Sequence, residues 1–109
     1  MKAGSRTFSP LTRDAARVLG QQVRTERLKK RWTVKDLAER AGVSKPTITK
    51  LERGDLSVSL GTAFEAAVLV GVPIFAESRE DLSRIEKETQ LGLAVLPERA
   101  RKREVNDDF

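Results

Sequence analysis

Apolar residues recur along the first half of the chain at helical spacing, and polar caps and glycines punctuate them. Over residues 11–31, Ala16, Leu19, Gly20 and Val23 fall at the i, i+3, i+4, i+7 positions of one helical face, which predicts a long first helix with Thr12 as its N-cap. Thr33 then precedes a second helix, Val34 to Ala41, and Asp36 three residues later forms a variant of the capping box. Gly42 ends that helix. Ser44 caps a third, which tolerates Pro46 in its first turn because the missing N–H has no intrahelical partner there. This helix runs to about Arg53 and stops at Gly54.

Residues 55–59 form a polar loop punctuated by Leu56 and Val58, after which the Ala-rich stretch Leu60–Val70 predicts a largely buried fourth helix ending at Gly71. Val72-Pro73-Ile74-Phe75 reads as a tight connection into a short fifth element, since the residue before a proline is biased away from helix. Residues 78–90 carry only a thin apolar stripe of Leu82, Ile85 and Thr89, a marginal helix unless something packs on it. Residues 91–96 are a short apolar run, either a strand or a helix end. Residues 1–10 lack periodicity and read as a flexible basic arm; residues 98–109 are a charge-dense tail closed by Phe109. No internal repeat is present, and the fold class expected is all-α.

Composition narrows the chemistry. The chain has no cysteine and no histidine, which removes disulfides, thiolate and imidazole metal sites and the commonest general base. No nucleophile elbow or glycine-rich phosphate loop is present, so neither catalysis nor a cofactor or metal is expected. No apolar run reaches the roughly 18 residues that span a bilayer, and the N-terminus lacks the apolar block of a signal peptide, so the expectation is a soluble, cytoplasmic protein with no membrane partner. The net charge of +5 is unevenly distributed: residues 1–54 hold 14 Lys/Arg against 5 Asp/Glu, and residues 55–109 hold 7 against 11. Clustered positive charge displaces counterions from phosphates, so the first half is the candidate polyanion-binding surface.

The segment from Val34 to Arg53 has the grammar of two short helices crossing steeply. Ala38 is small where they approach closest, Gly42 permits the left-handed turn, and Leu37, Ala41, Val43, Ile48 and Leu51 point to a shared core. The outer face of the third helix is left to Lys45, Pro46, Thr47, Thr49 and Lys50. With Leu19-Gly20-Gln21-Gln22-Val23-Arg24, Arg27, Leu37-Ala38, Gly42-Val43-Ser44, Ile48 and Leu51-Glu52-Arg53-Gly54, the chain resembles the helix-turn-helix family of phage repressors, Cro proteins and xenobiotic-response-element-type regulators.

That resemblance implies a compact five-helix domain with the third helix laid in the major groove. It implies that Lys45, Pro46, Thr47, Thr49 and Lys50 face bases and that Thr33, Lys35, Ser44 and Arg53 hold phosphates, which set orientation while base contacts set sequence. It also implies an Arg27–Glu52 ion pair bracing the first helix against the third. Pro46 and Val34 depart from the Gln-rich pattern of the phage repressors. Base reading therefore falls on Lys45 and Lys50, suited to the guanine O6 and N7 acceptors, and on the threonine methyls. Trp32, Phe64 and Phe75 read as core filling.

The domain is expected to span residues 11–76, leaving 77–109 as a dimerisation or partner-binding extension. The ending from Leu96 to Phe109 is similar to the tails of small HipB-like antitoxins, which implies a bacterial, nucleoid-associated repressor that autoregulates its operon and binds a HipA-like kinase toxin. The partners expected are double-stranded operator DNA, a second copy of the chain and that toxin. Two other readings stay open: a stand-alone regulator of a phage or stress locus, and a protein-interaction adaptor built on the same scaffold.

Overall fold

The computed structural model describes residues 7–102; the beginning of the basic arm and the end of the charged tail fall outside it. The described residues form five helices and no strand: α1 (Pro10–Lys29), α2 (Val34–Ala41), α3 (Lys45–Glu52), α4 (Leu60–Val70) and α5 (Arg79–Ala94). The all-α expectation is borne out. The chain divides after Phe75 into two units, with four helices in the first and α5 in the second. No helix of the described residues is long and apolar enough to cross a membrane, and no cluster of His, Cys, Asp or Glu among them could hold a metal ion.

In the first unit the helix ends follow from local chemistry. The Ser44 hydroxyl accepts from the Thr47 N–H at the start of α3, and the Ser59 hydroxyl from the Thr62 N–H at the start of α4. Gly42 ends α2 at φ 71°, and the Val43 N–H returns to the Ala38 carbonyl at 3.0 Å, the wrap that satisfies otherwise orphaned carbonyls. The start of α1 corrects the sequence reading. Its cap is Ser9, whose hydroxyl accepts from the Thr12 N–H, and Pro10 occupies the first turn. Thr12 lies inside the helix, its hydroxyl 2.9 Å from that of Ser9.

Around these ends, Val23, Leu37, Ala38, Ile48, Leu51, Ala66, Ala67, Val70 and Val72 form one buried core. α3 packs on both α1 and α2, and α4 closes the other side of both. Ala41, Val43 and Trp32 pack against the core while staying half-buried. Trp32 also carries cations: the Arg40 guanidinium lies 4.2 Å from the ring centroid and the Lys30 ammonium 5.5 Å, so it does more than fill space. Phe75 departs from expectation outright. It is 80% exposed at φ 65°, a left-handed conformation that turns its ring away from the core. No helix follows it until Arg79, so the short fifth element expected straight after Phe75 is absent and the fifth helix is α5.

The second unit is α5 and its flanks. Ser78 caps it by accepting from the Asp81 N–H, and the apolar run from Leu91 resolves as the helix end. None of its residues is buried and only Ile85 is half-buried, leaving Leu82, Leu91 and Leu93 exposed. Arg84 and Glu88 at 3.2 Å add an exposed pair one turn apart, worth only a few tenths of a kcal/mol.

Candidate nucleic-acid interface

The turn between α2 and α3 is set by caps on both sides. Thr33 and Asp36 make the full reciprocal box: the Thr33 N–H donates to the Asp36 carboxylate at 2.8 Å, and the Asp36 N–H donates to the Thr33 hydroxyl at 3.1 Å. The Thr33 backbone N–H, then the Thr33 hydroxyl, hold the Asp36 carboxyl below its usual range. A carboxyl with a lowered folded-state pKa stabilises the fold above its unfolded value, near 3.9, and that contribution disappears as pH falls through the folded value. Asp36→Asn is therefore expected to lower the melting temperature at neutral pH and to lose less stability than the parent on acidification below about pH 4. Equal acid sensitivity of the two proteins in thermal melts would refute this.

α3 is fastened by its inner face and free on its outer one. Ile48 is fully buried and Leu51 nearly so, and the opposite face presents Lys45, Pro46 and Lys50 to solvent. Neither Lys45 nor Lys50 is ion-paired among the described residues. The Asp55 carboxyl is held low mainly by the Ser57 hydroxyl and backbone N–H, with a smaller contribution from the Lys50 charge. Thr47 and Thr49 are half-buried. The Thr47 hydroxyl sits 2.9 Å from that of Ser44, and Thr49 turns toward α1.

The residues expected to hold phosphates are spread over three helix ends. Thr33 and Ser44 are exposed at the N-termini of α2 and α3, with their hydroxyls engaged as caps. Lys35, on the first turn of α2, reaches Glu39 at 4.0 Å, an exposed and weak pair. Arg53 caps the C-terminus of α3 and is exposed.

Arg27 and Glu52, 25 residues apart, lock the reading element in place. Arg27 Nε donates to Glu52 Oε2 at 2.6 Å and a terminal nitrogen to Oε1 at 2.9 Å; its other nitrogen donates to the Trp32 carbonyl at 2.8 Å. The hydrogen bond to Glu52 raises the Arg27 pKa, against the opposing effect of burial. Sequence reasoning missed one neighbour of this pair: Arg24, one turn earlier on α1, lines the same groove as Thr49 and Arg53.

A two-helix element held against a supporting first helix, with a basic outer face on its second member, defines the helix-turn-helix class of DNA-binding module. Residues 23–75, just under half of the chain, match the family model described as "Helix-turn-helix". Over those residues the chain is similar to a family of DNA-binding regulatory domains. Neither the search of curated proteins nor that of solved structures returns a significant match.

Proposed function

We propose that the chain is a sequence-specific transcriptional repressor that lays α3 in the major groove of its operator as a homodimer. The observation that carries the reading is the outer face of α3, whose Lys45 and Lys50 stay exposed and unpaired while Ile48 and Leu51 anchor the helix to the core. In this reading Lys45, Pro46, Thr47, Thr49 and Lys50 meet base edges, and Thr33, Lys35, Ser44 and Arg53 meet phosphates. The stripe of exposed Leu82 and Leu93 with half-buried Ile85 on α5 supports pairing of two copies.

Lys50→Ala and Arg53→Ala separate the two roles. On duplexes selected from a random pool, Lys50→Ala is expected to relax discrimination at one base position, a change of about 1–3 kcal/mol, whereas Arg53→Ala weakens selected and random duplexes alike. Identical behaviour of both variants on both kinds of duplex would sink the assignment. The narrower reading, an antitoxin that represses its own operon and holds a HipA-like kinase, rests on the tail resemblance of residues 96–109. Its test is co-purification with a serine/threonine kinase encoded beside it, and a neighbouring frame without such a kinase returns the chain to the stand-alone regulators.

A further inference from the structure

A groove of about 250 Å³ opens where α1, the start of α2 and α3 meet, lined by Arg24, Arg27, Val34, Thr49, Glu52 and Arg53. Its charges do not cancel. Both Glu52 oxygens are taken by Arg27, so that pair is a neutral floor. Arg24 and Arg53 are exposed, and neither is ion-paired among the described residues. The guanidinium groups of Arg24 and Arg53 beside that neutral pair leave an excess of two positive charges. Planar forks of N–H donors in that arrangement match the oxygens of a phosphate, which can accept from both at once. Thr49 lines the same wall.

We infer that this groove seats one phosphodiester of the duplex backbone, clamped between Arg24 of α1 and Arg53 at the end of α3. The inference rests on the duplex-binding reading above and extends it. It brings the first helix into the contact surface. It also gives the buried ion pair a second consequence, because with Glu52 neutralised by Arg27 the carboxylate does not compete with the phosphate for Arg24 and Arg53.

The test is titration of the full chain with a random-sequence duplex across a range of salt concentrations. Arg24→Ala is expected to weaken binding about tenfold, the scale of one lost charge-assisted hydrogen bond, with an unchanged melting temperature because Arg24 is exposed. Arg24→Lys, which keeps the charge and loses the fork, recovers part of the loss. The double variant Arg24→Ala/Arg53→Ala is expected to lower the slope of log affinity against log salt by about 0.9, the signature of one shared phosphate, and not by about 1.8. Wild-type affinity and slope in Arg24→Ala would overturn the clamp and leave duplex binding standing; failure of the wild-type chain to bind any duplex would overturn both. Inorganic phosphate, compared with chloride at equal ionic strength, is the second arm. A melting shift that the double variant abolishes, with duplex binding untouched, would assign the groove to free phosphate and overturn the clamp.

Discussion

Arg27→Ala and Glu52→Ala are each expected to lower the unfolding free energy by about 3–5 kcal/mol, the usual result of removing one member of a buried ion pair. The side chains of the two are only 7% and 8% exposed, so either survivor is left charged in a place that water barely reaches. Glu52→Ala strands a guanidinium that keeps only the Trp32 carbonyl, and Arg27→Ala strands both carboxylate oxygens and that carbonyl. A domain of this size has about 5–15 kcal/mol of stability in all, so either change places it near its unfolding threshold. The double replacement Arg27→Met/Glu52→Leu is expected to recover most of the loss, because it removes both charges together and refills the volume. Chemical denaturation of the three variants measures this, and singles that lose under about 1 kcal/mol would show a pair in effective contact with water.

The same comparison explains why the pair exists where an apolar contact would hold as well. Removing two charges from water is costly, and packed hydrophobic residues often match or exceed a buried pair in stability. What the pair adds is direction. A bidentate guanidinium fixes the distance and rotation of α3 relative to α1, which an aliphatic contact leaves softer. The reading face of α3 inherits that placement.

Much of the fold was legible because its signals are local. Thr33 with Asp36, Gly42, Ser44 ahead of Pro46, and Gly71 each act within four residues, and each helix boundary they predicted is observed. The start of α1 differs from the expected cap although its signal is also local: Ser9 followed by Pro10 is a cap and first-turn pair that takes precedence over the later hydroxyl of Thr12. Phe75 was misread because hydrophobicity says nothing of a left-handed backbone that sends the ring to solvent. The run after Leu91 carried no periodicity long enough to separate strand from helix end. At the interface, the outer residues of α3 follow from its 3.6-residue period. Arg24 does not, since it meets Thr49 and Arg53 only once α1 has crossed α3, and that crossing joins residues such as Arg27 and Glu52 that lie 25 positions apart.

That crossing depends on the smallest residue in it, and Gly20→Ala is expected to destabilise the domain by about 1–3 kcal/mol, the range of overpacked cores. A Cβ on Gly20 would stand 2.7 Å from the Glu52 carbonyl oxygen and 2.8 Å from its carbon, and closer still to the Leu51 oxygen. These are backbone atoms at the end of α3, which cannot rotate aside as a side chain can. α1 and α3 must separate, and separation stretches the Arg27–Glu52 hydrogen bonds two helical turns along α1. Helix propensity argues the other way, since alanine is favoured over glycine inside a helix by up to about 1 kcal/mol. The steric term prevails because it is paid against backbone and propagates to the ion pair. Gly61, inside α4, has nothing within 4 Å of the corresponding Cβ, so Gly61→Ala isolates the propensity effect and is expected to be neutral or mildly stabilising. Thermal melts of the two variants should therefore shift in opposite directions or leave Gly61→Ala unmoved. A Gly20→Ala protein that melts at or above the parent temperature would mean that α1 does not approach α3 this closely.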